Sequence, residues 1–264
     1  MSGGGAELEP LRALQALADA RTPARLFRGR AGTSYTTASH LELRAAHAAA
    51  RDAVHAALDL DGPELAPLVE AHGLFGVDSA ATDHADHLLR PDHGRRLSEG
   101  AKATIAERCA SGRTLQVVVG DGLSAAAVHT QVPELLPRVL AAADDRGWSC
   151  GTPFAVRHCR VGIMNDVGEL LDPELVVLLV GERPGLGTAA SLSAYVAHRP
   201  RPGDTDARRN LLSNIHPRGT PVPAAAGRLM ALLEAILGAG ASGVAVKEPE
   251  ATAPALEGRG PSPR

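Results

Sequence analysis

A glycine-rich segment in the middle of the chain has the spacing of a nucleotide-binding turn. The segment GDGLSA, from Gly120 to Ala125, follows an apolar VVV run and fits G-x-G-x-x-A, in which glycines let a backbone approach a pyrophosphate at a helix N-terminus. That pattern also needs an acidic residue at the end of the next strand, about 20 residues further on. Asp144 and Asp145 have roughly this offset, but they close a helix ahead of Gly147. We therefore favour a tight strand-to-helix turn over a nicotinamide or flavin site.

A second glycine-rich segment, GERPGLGT from Gly181 to Thr188, follows the apolar run ELVVLLV. It lacks the lysine of G-x-x-x-x-G-K-[ST], which excludes the phosphate-binding loop of nucleotide hydrolases. In open α/β sheets, ligands bind at loops that follow the carboxyl ends of strands. Glu182 and Arg183 place an acid and a base in such a loop, and a solvated turn with an incidental ion pair remains the alternative.

Aspartate–histidine pairs are concentrated near residue 85. His84 and His87, each preceded by an aspartate, put two imidazoles on one helical face, which could bind a transition metal. The segment also has the composition of an exposed polar helix and loop, and we favour that interpretation.

The segment NIHPRG, from Asn214 to Gly219, is similar to the D-x-H-x-x-G pattern of cobalamin-dependent methyltransferases and mutases, in which the histidine ligates cobalt. Asn214 stands where that pattern has an aspartate, and an asparagine cannot supply the carboxylate that raises imidazole basicity. Pro217 also favours a loop. We interpret the similarity as a chance match.

The composition excludes several classes of protein. The 264 residues carry a formal net charge of -3, from 27 basic and 30 acidic side chains, and only 2% are aromatic, so we predict no nucleic-acid binding. The longest apolar run, Leu175 to Val180, is too short to span a membrane. The three cysteines form no C-x-x-C pair, and the N-terminal residues MSGGGAELEP lack the pattern of a secretory signal, so we expect a cytoplasmic protein with free thiols. With no G-x-S-x-G elbow and no patterned cysteine nucleophile, we predict neither a catalytic residue nor a metal ligand in this chain.

Hydrophobic periodicity and turn residues predict the elements that must position these segments. Helices are predicted over Leu8–Asp19, from an N-cap at Ser39 to about Leu58, from Leu123 onward, over Pro133–Ala143, from near Ser191, and over Ala224–Leu237. Strands are predicted in TLQVVVGDG from Thr114, in PFAVRH, in RVGIM and in ELVVLLV, with none ahead of Gly112.

Strands that alternate with helices and are apolar on both faces indicate a parallel sheet covered on both sides. We therefore predict an α/β protein with a helical N-terminal region followed by a Rossmann-like, mostly parallel sheet domain. The predicted divisions are a flexible N-terminus and first helix over 1–20, a helical region over 21–113, an α/β domain over 114–246 and a disordered tail over 247–264.

Several stretches of the chain together resemble one known family. VVVGDGLSA, GERPGLG with the following SLSAY, and TDARRNLLSNIHPRGTP resemble the small (light) subunit of ethanolamine ammonia-lyase, as do RAAHAAARDAV and RPDHGRRLSEGA in the N-terminal half. Each stretch is a weak signal alone. The five stretches occur in the same order as in the family, from about residue 23 to residue 237, and together they are specific to it.

The resemblance implies a subunit that does not act alone. In this family the large subunit, a separate β/α barrel chain, binds the amino alcohol, and the small subunit packs over adenosylcobalamin at the subunit interface. Homolysis of the cobalt–carbon bond starts a radical deamination of ethanolamine to acetaldehyde and ammonia, and the cofactor supplies this chemistry. The resemblance thus predicts a lyase subunit of ethanolamine catabolism that is inactive without its large partner. It leaves open whether the enzyme is packaged in a bacterial microcompartment.

Three positions match cobalamin contacts of the family. Val161 in RVGIM is the first, and Glu182 in GERPGLG is the second, where a carboxylate can accept hydrogen bonds from the amide groups that fringe a corrin. The third is Leu211 in RNLLSNI, where family members commonly have cysteine, so a side-chain role there is in doubt. The family binds cobalamin with its own dimethylbenzimidazole on cobalt, which predicts that His216 is not a cobalt ligand.

A free-standing α/β nucleotide-binding protein or dehydrogenase that uses the Gly120 turn is the alternative function. A purely structural adaptor is a second alternative. An acidic residue after the second strand would favour the dehydrogenase, and none is present there.

Overall fold

The computed structural model describes residues 8–20, 22 and 24–249. The helices are α1 (Leu8–Asp19), α2 (Thr37–His55), α3 (Ala66–His72), α4 (His84–Leu89), α5 (Glu99–Arg108), α6 (Ala125–Asp144), α7 (Ile163–Leu171) and α8 (Val222–Ala239), with short 3₁₀ turns at His93–Arg95 and Asp206–Arg208. The strands are β1 (Arg30–Ala31), β2 (Ser34–Tyr35), β3 (Phe75–Asp78), β4 (Leu115–Gly120), β5 (Phe154–Arg157), β6 (Leu175–Gly181), β7 (Leu192–His198) and β8 (Arg209–Ile215).

Six of these strands form one sheet in the order β3-β5-β4-β6-β7-β8. The first four are parallel to one another, whereas β7 and β8 are antiparallel to their neighbours. Every residue of β4 and β6 is buried, because helices cover both faces of the sheet. The α/β class and the mostly parallel sheet are thus confirmed.

Two apolar cores lie on the two faces of the sheet. Alternate residues of a strand point to opposite faces, so Val117 and Val119 pack with α6 and α8 while Val118 packs with α5 and α7. Because α6 connects β4 to β5 and α7 connects β5 to β6, the chain reverses its direction of travel across the sheet between β4 and β6. Ligands of open α/β sheets bind outside the carboxyl ends of the strands at such a reversal.

Helix α6 is one continuous helix, although Pro133 and Pro137 lie inside it. The sequence predicted a break there, since a proline has no N–H to donate to the carbonyl four residues earlier. The break is absent because the face that includes Val132 and Leu136 is fully buried against the sheet and against α8. Packing therefore outweighs the two lost hydrogen bonds.

For two segments, the sequence predicted the wrong type of secondary structure. The segment from Ser191 was predicted to be a helix, but β7 pairs along seven residues with β6 as an antiparallel hairpin. RVGIM was predicted to be a strand, but β5 ends at Arg157, and Val161 lies in a turn that leads into α7. Small residues have weak preferences of their own, so the available pairing edge of β6 decides the first case.

The region ahead of residue 113 also contributes a strand that the sequence did not predict. Strand β3 pairs in parallel with β5, so the sheet is not confined to residues 114–246. Its four residues include Gly76 and Asp78, types that are depleted in strands, and pairing with β5 is what holds them extended.

Helix ends were predicted with mixed accuracy. The first helix has its predicted bounds, and α8 extends the predicted range by two residues at each end. The N-cap of α2 is Thr36, whose hydroxyl accepts a hydrogen bond from the backbone N–H of Ser39, so the capping residue precedes the predicted one by three. Residues 1–7 and 250–264, which include most of the predicted flexible end and tail, lie outside the described residues.

The remaining composition-based expectations concern cysteines and membrane spans. All three cysteines are free; Cys109 and Cys159 are buried, and burial raises the pKa of Cys109 to about 11. Within the described chain, helix α8 is long and apolar enough to cross a membrane by length and composition. Leu229, Leu233 and Ile236 of this helix are fully buried in the core, which accounts for its apolar character.

Candidate functional site

A depression of about 350 Å³ opens at the carboxyl edge of the sheet, where the chain reverses between β4 and β6. It is lined by the turn after β4, by the turn after β5, by the end of β6 and the residues that follow it, and by β7 and β8. A larger cavity of about 620 Å³ lies beside α7. That cavity is lined mainly by arginine and carboxylate side chains and contains none of the three predicted cofactor contacts.

The three predicted cofactor contacts line this one depression, although they come from three separate parts of the chain. Val161 is half-buried in the turn between β5 and α7, and Glu182 is the first residue after β6. Leu211 lies in β8 opposite Tyr195 of β7, with 48% of its surface exposed. Their convergence is an observation; their contact with a cofactor stays a prediction.

Glu182 is held by two hydrogen bonds to the same carboxylate oxygen. Its Oε1 accepts from the Ser193 hydroxyl at 2.7 Å and from the backbone N–H of Asn214 at 2.8 Å. Its Oε2 accepts no hydrogen bond from the described residues. Hydrogen bonds to an ionised acceptor are the stronger kind, so this carboxylate has a fixed orientation with one oxygen free.

Tyr195 supplies an aromatic surface to the depression. It is half-buried, and burial, together with the charges of Asp206 and Glu182, raises the pKa of its hydroxyl, which therefore stays protonated at neutral pH. No sequence pattern singled out this residue as part of a site. Its position directly opposite Leu211 depends on the register of β7 and β8, which no local pattern predicts.

Arg160 and Arg183 give the depression a positive side. Arg160 donates from Nη2 to the backbone carbonyl of His87 at 3.0 Å, whereas its buried Nε has no partner among the described residues. Burial and the neighbouring charges of Arg183 and Arg95 lower the pKa of Arg160. The guanidinium groups of Arg160 and Arg183 are hydrogen-bond donors that a polar ligand in the depression could use.

The Gly120 turn is filled by the protein itself. The Asp121 carboxylate accepts hydrogen bonds from the backbone N–H groups of His158 and Cys159, at 2.7 and 2.8 Å. Burial raises the pKa of Asp121, and these two donors oppose that rise. The Ser124 hydroxyl caps α6 and donates to the carbonyl of Ala189, so the loop after β6 covers the helix N-terminus. The tight-turn interpretation fits this geometry, and a pyrophosphate would have to displace these contacts.

The histidines near residue 85 pack behind this turn. His87 is 1% exposed, and its Nε2 donates to the carbonyl of Gly122 at 2.8 Å. Its ring lies 6.3 Å from that of His84 and 5.8 Å from that of His158, between centroids. Across the described part of the chain, no group of three histidine, cysteine or carboxylate side chains has the geometry to hold a metal ion. The predicted exposed helix is wrong for His87, which is a core residue.

His216 in the N-x-H-x-x-G segment uses both ring nitrogens within the protein. Its Nδ1 accepts from the backbone N–H of Arg218 at 3.2 Å, and its Nε2 donates to Asn214 Oδ1 at 2.8 Å. The residue is 3% exposed, and burial lowers the pKa of its imidazole. Ligation of cobalt through either ring nitrogen would break at least one of these hydrogen bonds, in agreement with the predicted chance match.

Comparison with known proteins gives this geometry a context. The model of the family described as Ethanolamine ammonia-lyase light chain (EutC) matches residues 12–247. The chain belongs to this family. The resemblance stated from the sequence is therefore confirmed, and the match includes all three predicted contact positions.

Curated relatives of the ethanolamine ammonia-lyase small subunit family cover most of the chain. The ethanolamine ammonia-lyase small subunit of Xanthomonas campestris pv. campestris (strain B100) is 45% identical over 242 residues, which are 90% of this chain and 88% of the relative. The small subunit of Fusobacterium nucleatum subsp. nucleatum is 42% identical over 227 residues, with 86% and 75% covered. That of Rhodopseudomonas palustris (strain BisA53) is 40% identical over 244 residues, with 91% and 93% covered.

Proposed function

We propose that this chain is the small subunit of an adenosylcobalamin-dependent ethanolamine ammonia-lyase and that its depression forms one wall of the cofactor site. The observation that carries the proposal is the convergence of Val161, Glu182 and Leu211 on one depression at the reversal point of the sheet. Family membership supplies the reaction class, an ammonia-lyase that acts on ethanolamine.

The residues present suit a corrinoid, whose ring has apolar faces and a fringe of amide groups. Val161, Tyr195 and Leu211 provide apolar surface, and Glu182 provides an acceptor with one free oxygen. Arg160 and Arg183 provide guanidinium donors in the same wall. A mostly apolar pocket with a few placed polar groups is the usual form of a cofactor site.

The size of the depression supports a shared site. A volume of about 350 Å³ is at the small end for ligand pockets and accepts only part of a molecule as large as a corrinoid. We propose that the large subunit of the family encloses the remainder and binds ethanolamine. The chain alone is then inactive, and the role of its residues is to hold and orient the cofactor. When bound, adenosylcobalamin supplies the radical chemistry that releases acetaldehyde and ammonia. A cytoplasmic location is part of this proposal.

The first experiment tests the assembly. The chain, alone and together with its large subunit, is mixed with cyanocobalamin or NADH and gel-filtered, and the chain alone is also assayed for ethanolamine turnover with adenosylcobalamin. We expect red colour to elute with both chains and no NADH to be retained. Retention of NADH by this chain alone would support the free-standing nucleotide-binding alternative, and turnover of ethanolamine by the chain alone would contradict the shared site.

The second experiment tests whether Glu182 contacts the cofactor. Glu182→Gln should weaken binding of cyanocobalamin to the two-subunit complex by about tenfold or more, because hydrogen bonds to a charged group contribute about 1.5–3 kcal/mol. Glu174→Gln is the matched control, since Glu174 lies just ahead of β6 at its opposite end and pairs with Arg199 at the surface. Equal affinity for the Glu182 variant and the wild type would contradict the proposed contact and favour the structural-adaptor alternative.

A further inference from the structure

Strand β8 contains a bulge beside Glu182. Leu192 pairs with Ile215 and Ala194 with Leu212, so the single residue Ser193 of β7 faces two residues of β8. The additional residue of a bulge is left out of the strand ladder, and bulges often redirect a group near a functional site. Here the bulge turns the backbone N–H of Asn214 away from the ladder and onto the carboxylate of Glu182.

The turn after the bulge holds Asn214 in an uncommon conformation. Its φ is +61°, in the left-handed region, where asparagine is among the few residues that are readily accommodated. The Thr220 N–H donates to the Asn214 carbonyl at 2.8 Å, and the His216 N–H donates to the Thr220 carbonyl at 3.1 Å. A Cβ at Gly219 would lie 2.4 Å from the Asn214 carbonyl oxygen, so this close approach requires glycine.

The His216 ring fixes the side chain of the same asparagine. Because Nδ1 accepts the Arg218 N–H, the ring proton is on Nε2, which donates to Asn214 Oδ1. The imidazole is buried and neutral in this role. His216 and Gly219 of N-x-H-x-x-G thus both act on the conformation of its first residue, Asn214.

We propose that Ser193, Asn214 and His216 are positioning residues that orient the Glu182 carboxylate and leave its Oε2 for an amide donor of the cofactor. This inference rests on the proposed cofactor contact of Glu182. A carboxylate that is already oriented loses little side-chain freedom when the ligand binds, which strengthens binding without a new contact. The N-x-H-x-x-G segment then serves the cofactor through hydrogen bonds to protein groups and not through cobalt.

Nuclear magnetic resonance of the full chain tests the arrangement without any cofactor. With ¹⁵N-labelled histidine, His216 should be a neutral ring protonated on Nε2 at pH 7. The Asn214 amide proton should resonate downfield and move upfield in Glu182→Gln, because its acceptor loses the negative charge. A His216 ring protonated on Nδ1, or an Asn214 amide that does not respond to Glu182→Gln, would overturn the positioning role.

Double-mutant cycles on the assembled two-subunit complex test the consequence for binding. Ser193→Ala should weaken cyanocobalamin binding about tenfold in the wild-type background and leave it nearly unchanged in Glu182→Gln, because the two residues act as one unit. His216→Leu should behave likewise, and His216→Gln, which keeps a donor for Asn214 Oδ1, should lose less. His198→Leu, at the far end of β7, is the matched control and should bind normally.

The outcomes separate this inference from the proposed function. If Ser193→Ala and His216→Leu weaken binding equally in both backgrounds, their effect is general destabilisation, and the positioning role is wrong. If Glu182→Gln itself leaves binding unchanged while the Asn214 amide responds as expected, the hydrogen bonds exist but the cofactor contact of Glu182 fails, and the inference fails with it. Thermal unfolding of every variant is measured beside these cycles, and His216→Gln replaces His216→Leu if the latter does not fold.

Discussion

Two neighbouring turns at the carboxyl edge of the sheet differ in what fills them. The turn after β4 has a recognisable nucleotide-binding spacing, yet its aspartate, its glycines and the cap of α6 are all engaged with other parts of the protein. The edge formed by β6, β7 and β8 has no such pattern, yet it holds a depression with a free carboxylate oxygen. A glycine pattern therefore indicates that some group approaches the backbone closely. It does not indicate whether that group belongs to a ligand or to another part of the protein.

The close approach in the first turn is between two glycines. A Cβ on Gly122 would lie 2.3 Å from the carbonyl oxygen of Gly181, and one on Gly181 would lie 2.1 Å from that of Ser124. The position that a pyrophosphate takes in a dinucleotide-binding protein is thus taken here by the loop after β6. That loop begins with Glu182, directly after Gly181, so the closed turn supports the open depression beside it.

The largest effect is expected from breaking the closed turn. Gly122 has a φ of +57°, so Gly122→Ala combines a left-handed alanine with a clash against Gly181, and we expect a loss of about 3 kcal/mol or more in the free energy of unfolding. Chemical denaturation measures this loss. Gly100→Ala, on an exposed turn of α5 with nothing near the new methyl group, is the control and should be neutral or stabilising by up to about 1 kcal/mol. Wild-type stability in Gly122→Ala would show that the turn is not closed.

A smaller effect on the free energy of unfolding is expected from a change of pH, because His87 packs behind the closed turn. Burial and the charges of Arg160 and His158 lower the pKa of His87, while its bond to Gly122 and the charge of Asp121 oppose this, with the lowering dominant. Because the unfolded chain takes up the proton first as pH falls below about 6.5, this residue makes the free energy of unfolding decrease with acidification. The contribution to the slope is at most about 1.4 kcal/mol per pH unit between the unfolded and the folded pKa.

Denaturation at pH 5, 6 and 7 measures that slope. His87→Gln keeps a donor for the Gly122 carbonyl and removes the titration, so its slope should be smaller than that of the wild type, by at most one proton. An identical slope in His87→Gln would show that this buried ring does not link the closed turn to pH.

The smallest effect is expected from a substitution in the open depression at the edge formed by β6, β7 and β8. Leu211 is half exposed, so Leu211→Cys, which introduces the residue that is common in the family, should change the free energy of unfolding by less than about 0.5 kcal/mol. The affinity of the assembled complex for cyanocobalamin should change by no more than about two- to threefold if the contact is through the backbone. A change above tenfold would identify the side chain as a principal contact and sharpen the contrast with the closed turn.

Central strands and long helices were predictable from the sequence. Strands β4 and β6 are covered by helices on both faces, so they must be largely apolar, and VVV in β4 and LVVLLV in β6 are apolar runs. The family resemblance likewise implied Val161, Glu182 and Leu211 as a set of cofactor contacts. Their convergence on one depression was not readable from spacing, because 50 residues separate the first from the last.

The tertiary structure alone decided the edges of the sheet and the orientation of the site. Strand β3 and strand β7 have weak local preferences, and they are strands because β5 and β6 offer pairing edges to them. The bulge in β8 and the left-handed Asn214 depend on the register with β7, which is a property of two paired strands and not of either sequence. The sequence by itself determined which segments are buried and which family they form, since burial follows residue type. Which polar groups meet at the edge was decided only by strand pairing, since a hydrogen bond needs both partners in place.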